Sequence, residues 1–128
     1  MTPPELARLL ADLPSAASVT LAVLHGSRAR RDARQDSDWD IGVLAGDRPD
    51  LPTLTTDIAS ILGTDAVDVV DLQTASAVLR FRAARDGIAL LERPPGAFET
   101  FQLEAVQFWC DAEPVIRAAQ EAVLAALG

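Results

Sequence analysis

The chain has 128 residues, is 49% hydrophobic and carries a formal net charge of −8. That length fits one domain, 1–128, with a real buried core, and the composition argues against disorder. The acidic balance argues against direct binding to nucleic acid or to an anionic membrane. All eleven basic residues are Arg and none is Lys, so the Gly-Lys-Ser/Thr of a P-loop is missing. Cys110 is the lone cysteine, which rules out an intrachain disulfide and a Cys-based zinc site. Residues 1–5 lack a basic segment and no window is apolar for long enough to span a bilayer. The expectation is a soluble cytoplasmic protein with no membrane partner.

Thr2, Pro3 and Glu5 form a capping-box start for a helix with an apolar stripe at Leu6, Leu9, Leu10 and Leu13, ended by Pro14. Residues 18–25 read as a central strand, apolar on both faces. A short helix is expected at 28–34 and a second strand at 39–45. Residues 51–62 carry a helical stripe of Leu51, Leu54, Ile58, Ile61 and Leu62, with Gly63 placed to cap its end. A third strand is expected at 66–72, a helix at 76–85 and a short fourth strand at 88–92. Pro94-Pro95-Gly96 breaks the chain. Residues 97–127 read as one long helix, or two, with a break or kink near Pro114. Its stripe is Phe98, Phe101, Ala105, Trp109, Ala112, Ile116, Ala119 and Val123. The alternation predicts an α/β (α+β) fold: a mixed sheet of about four strands, helices packed on it, and a long C-terminal helix or helix pair. Residues 1–93 form the core and 94–128 the C-terminal helical segment.

The chemistry is concentrated between the first two strands. Gly26-Ser27 is followed ten residues later by Asp38-Trp39-Asp40. Side chains alternate along a strand, so Asp38 and Asp40 share a face, roughly 7 Å apart. Two such carboxylates beside a Gly-Ser turn suit holding Mg²⁺ on a nucleoside triphosphate. Backbone N–H groups of the turn and the Ser27 hydroxyl would hold phosphates. Asp68 shares its face with Ala66 and Val70 in the third strand. If that strand lies beside the second, Asp68 can join Asp38 and Asp40 in a two-metal or metal-plus-base site; the other reading is a strand acid paired to an Arg. Asp36 falls in the loop, and Asp71 suits capping the turn that follows it. Arg28, Arg30, Arg31 and Arg34 give this region a local positive balance, and Arg28 is the best placed for phosphate. His25 reads as packed or turn-bonded. Arg80, Arg82 and Arg85 read as surface charges; Phe108, Trp109 and Cys110 read as helix packing or a partner surface.

The elements Gly26-Ser27-Arg28-Ala29-Arg30, Asp36-Ser37-Asp38-Trp39-Asp40-Ile41 and Val67-Asp68-Val69-Val70-Asp71-Leu72 resemble a minimal nucleotidyltransferase (MNT) domain of the DNA polymerase β-like superfamily. The resemblance continues through 78–92 and 95–98 to the long helix, and its nearest branch is the MntA-like antitoxin of HEPN/MNT toxin–antitoxin pairs. It implies a small nucleotidyltransferase sheet and a Mg²⁺-dependent enzyme, with two ions, that moves AMP from ATP to a Tyr of a HEPN ribonuclease. It assigns Asp38, Asp40 and Asp68 to catalysis and metal, and Gly26, Ser27 and Arg28 to nucleotide. The chain has no Tyr, so tyrosine self-modification is impossible. Arg31 departs from the pattern, standing where many relatives have Gly, and Gln35 stands where Pro is frequent. Two other readings share parts of the motif. One is an aminoglycoside-type small-molecule nucleotidyltransferase, and the other is an antitoxin that acts by binding alone.

Overall fold

The structure, a computed structural model, describes residues 1–34 and 37–128; the loop reading of Asp36 and the departure at Gln35 lie outside the described residues. Helix α1 (Pro3–Ala11) opens on the expected reciprocal cap. The Thr2 hydroxyl accepts from the Glu5 N–H, and the Glu5 carboxylate accepts from the Thr2 N–H, each at 3.3 Å. The polypeptide then makes a 3₁₀ turn at Pro14–Ala16 before entering β1 (Val19–His25).

Strand order in the sheet is β3-β2-β1-β4. β1 pairs antiparallel with β2 (Trp39–Ala45) on one side and with β4 (Ile88–Glu92) on the other. β3 (Val67–Asp71) lies parallel to β2, reached through the crossover helix α3 (Leu51–Leu62). Gly63 ends α3 at φ 69°, a left-handed position that favours glycine. The third strand is shorter than the expected 66–72, and Asp71 Oδ1 accepts from the Gln73 N–H at 2.9 Å, turning the chain out of the sheet.

Each face of the sheet buries its own apolar cluster. Leu6 and Leu10 of α1 and Leu54 and Ile58 of α3 cover Leu24, Trp39, Ile41, Val43 and Val69. The opposite face joins Leu21, Val23 and Leu72 to Ala83 and Ala84 of α4 (Ala77–Asp86) and to Phe101 and Ala105 of α5 (Ala97–Leu127). Gly42 has no side chain because Leu72 fills the space; a Cβ there would lie 2.6 Å from Leu72 Cδ2.

One helix boundary is corrected and one open reading is decided. The short helix expected at 28–34 is instead α2 (Gly26–Arg30), and it stops where Arg31 turns left-handed at φ 63°. The long helix runs unbroken through Pro114. Its expected stripe is only half used: Phe101 and Ala105 are buried and Phe98 packs beside them, while Ala119 and Val123 are exposed. A helix of 31 residues is longer than the sheet it crosses, so its distal turns extend beyond the core.

Candidate active site

The sheet register lines up three titratable side chains. His25, the last residue of β1, pairs with Asp40 of β2, and Asp40 pairs with Asp68 of β3. Paired residues on neighbouring strands share a face, so the three form a row across the sheet. It is the face carrying Val23, Val70 and Leu72, under α4 and α5. Asp38, two residues before Asp40, lies just ahead of β2, near enough to act on the Asp40 carboxyl. The structure thus sets the three acids singled out in the sequence near one another, with His25, read there as packed or turn-bonded, at the end of the row. The signal for His25 was its parity: it alternates with Leu21 and Val23 and immediately precedes Gly26.

Gly26 opens α2 at φ 70°, and a Cβ there would collide with Asp40 Oδ2. Both facts require glycine: the backbone is left-handed, and the Asp40 carboxylate occupies the space a side chain would need. Ser27 follows in the first turn, partly buried, so the Gly-Ser element and Asp40 are in direct contact. Arg31 closes α2, with its own N–H and that of Asp32 both directed to the Ser27 carbonyl.

Crowding shows in the electrostatics. Partial burial pushes the Asp40 carboxyl above the ordinary Asp value, and Asp68 and Asp38 push it further, while His25 and Arg30 pull it back. Burial lowers the His25 imidazole below its usual value against the opposing pull of Asp40 and Asp68. His25 Nε2 is buried without a hydrogen-bond partner among the described residues. A lowered value keeps that ring neutral at pH 7.

Arg28 reaches away from α2 toward the strand that carries the acids. Its Nε and Nη2 donate to the Ser37 carbonyl at 3.1 and 2.9 Å, and its guanidinium lies 4.2 Å from the Trp39 ring centre. Arg30 pairs with Asp32 at 3.4 Å on the surface. Arg80 lies over the Phe108 ring and Arg85 bonds Asp86, so neither joins the row of acids.

Among the described residues, no three His, Cys, Asp or Glu side chains converge closely enough to hold a metal ion unaided. Mg²⁺ asks for less: it is held by one or two carboxylates, completed by water and substrate phosphates. The three acids offer hard oxygen donors, and Asp40, raised first by burial and then by Asp68 and Asp38, and backed by Gly26, is the group a cation would relieve. The residues therefore fit Mg²⁺.

A Gly-Ser turn against a strand acid, a second acid two residues before it and a third on the next strand define a nucleotidyltransferase. The chain belongs to the polymerase β nucleotidyltransferase family, whose model matches residues 9–95. It is 34% identical to the protein adenylyltransferase MntA of Aphanizomenon flos-aquae (strain 2012/KM1/D3), over 74% of this chain and 69% of that one. Among solved structures it resembles a chain of a toxin–antitoxin crystallised with AMP-PNP: TM-score 0.79, 28% identity, covering 97% of this chain and 99% of the other. It also resembles a chain of a tri-AMPylated Shewanella oneidensis HEPN toxin in complex with MNT antitoxin. There the TM-score is 0.72 and the identity 27%, with 95% of each chain covered.

Proposed function

We propose that this protein is the antitoxin of a HEPN/MNT pair and transfers AMP from ATP to a tyrosine hydroxyl of its cognate HEPN ribonuclease. The observation that carries the reading is the Asp40–Asp68 pairing beside Gly26, with Asp38 alongside. The names of its relatives support a protein acceptor, a HEPN toxin; the tyrosine is what the sequence resemblance implies. In this reading residues 1–93 carry the transfer chemistry and 94–128 meet the partner.

ATP lies with its triphosphate on the Gly26-Ser27 turn, held by turn N–H groups and the Ser27 hydroxyl. Asp38 and Asp40, with Asp68 beside them, would hold Mg²⁺, which when bound offsets charge on the phosphates. Asp68, exposed at the end of the row, takes the proton of the acceptor hydroxyl. The acceptor oxygen attacks the α-phosphorus in line, and the bond to the β-phosphate oxygen breaks, releasing pyrophosphate. The fixed row of carboxylates contributes position rather than covalent chemistry.

The test is isotopic. With the purified pair, label on the α-phosphate of ATP should reach the HEPN protein and label on the γ-phosphate should not. EDTA should stop the transfer. Transfer of γ-label would make the protein a kinase and end this reading.

A further inference from the structure

Arg28 is fastened to the two residues on either side of Asp38. Its guanidinium forks onto the Ser37 carbonyl through Nε and Nη2 and stacks on the Trp39 ring. The rest of that segment is tied as well. The Ser37 N–H donates to the Arg34 carbonyl at 3.0 Å, and the Ser37 hydroxyl accepts from the Arg34 N–H at 2.8 Å. The Trp39 N–H donates to the Ala66 carbonyl at 2.8 Å, and Trp39 is only 8% exposed. Asp38 itself is exposed, outside the regular ladder of β2. Its placement therefore depends on its neighbours.

From this geometry we infer that Arg28 is a positioning residue for Asp38, not a ligand of the triphosphate. Resting on the nucleotidyl-transfer reading above, the inference assigns Arg28 to the metal-holding side of the site. Arg28 sits two residues after Gly26 on the helix that touches Asp40. One guanidinium thus links the Gly-Ser turn to the segment bearing Asp38 and fixes their separation. The task needs a planar fork that can bond a carbonyl and stack on an indole together. A lysine supplies the charge but not the fork.

The experiment uses the whole chain as Arg28→Ala and Arg28→Lys, with circular dichroism to confirm folding. A fluorescent ATP analogue is titrated first in EDTA and then with rising Mg²⁺, and amide exchange is followed at residues 37–39. Positioning predicts nucleotide affinity in EDTA within about twofold of the parent for both variants. It also predicts faster exchange at 37–39 and about a tenfold higher Mg²⁺ requirement, with no rescue by lysine. In transfer assays kcat should fall about tenfold or more while the KM for ATP stays within about threefold. Affinity lost in EDTA by Arg28→Ala and restored by Arg28→Lys would overturn the inference, as would unchanged exchange and Mg²⁺ dependence. Where Arg28→Ala does not fold, Arg28→Lys carries the same comparison. If the parent transfers no AMP, the functional reading fails by itself, and the exchange and binding arms still decide the role of Arg28.

Discussion

Asp40 faces Asp68 directly across the parallel β2–β3 pair, so two carboxylates stand side by side on one face of the sheet. Like charges opposite one another destabilise a sheet. The fold keeps this pair beside a glycine that leaves room for one of them, at a cost to stability that the proposed cation and phosphate site would explain.

Asp40→Asn should therefore separate stability from activity. Burial, then Asp68 and Asp38, raise the folded Asp40 carboxyl above 3.8, so the folded state holds this proton more tightly than the unfolded chain does. Stability then falls as pH rises from about 3.8 through the folded value. Without nucleotide or metal, Asp40→Asn should melt higher than the parent at neutral pH, and the gap should close as the pH drops toward about 4. AMP transfer should fall by about 100-fold or more. Melting curves in EDTA across this range, with transfer assays, check both parts.

Gly26→Ala should do the reverse and lose both. The backbone there is left-handed, which costs an alanine about 1–2 kcal/mol, and the new Cβ strikes the Asp40 carboxylate. A lower urea midpoint together with lost transfer is the expected result.

Much of this was legible in the sequence because it is local. Apolar alternation marked β2 to the residue, Gly63 marked the end of α3, and Thr2 and Glu5 marked the start of α1. The shared face of Asp38 and Asp40 was an inference from strand alternation, and Asp38 lies one residue ahead of β2. What could not be read depends on residues far apart. The part played by Arg28 is set by a chain that returns nine residues later to place the Ser37 carbonyl within its reach. His25 meets Asp40 only because of the β1–β2 register. The end of α2 was missed because Arg31 adopts a conformation that its side chain disfavours.

Arg31→Gly tests that last point. Arg31 holds φ 63° and ψ 26° at the end of α2, where glycine carries no steric penalty. Relief of that strain, offset by the greater freedom of glycine in the unfolded chain, should stabilise the fold by up to about 1 kcal/mol. Denaturant unfolding of the two proteins gives the difference.

Arg93→Met should destabilise without touching the site. The Arg93 guanidinium donates to the carbonyls of Ala11, Ala16 and Ala17 at 3.0, 3.1 and 3.4 Å, tying the end of β4 to the end of α1 and the turn after it. Methionine keeps most of the stem and removes the donors. A loss of about 1–2 kcal/mol is expected, since water reaches part of this cluster. Transfer measured well below the melting point should be unchanged.

Phe108→Glu addresses the partner surface. The core takes Phe101 and Ala105 of α5, and Trp109 stacks on Phe81 with ring centres 5.2 Å apart. Phe108 points elsewhere: it is 44% exposed, and the Arg80 guanidinium lies 4.8 Å from its ring centre. Val106 is 46% exposed, and Leu103, Val115, Val123, Leu124 and Leu127 are more so. Apolar side chains in such number along one helix of a small acidic chain suit an interface, where aromatics are favoured at the centre. Because Phe108 is not closing the core, a glutamate there should leave the circular dichroism spectrum and melting temperature close to the parent's. The new carboxylate stands beside Arg80, which compensates its charge. Binding to the cognate HEPN protein should weaken by about tenfold or more, as expected when an aromatic anchor is replaced by a charge. Titration calorimetry on the folded variant measures it. Undiminished affinity would remove Phe108 from the interface and move the search to the distal turns of α5, around Val123 and Leu127.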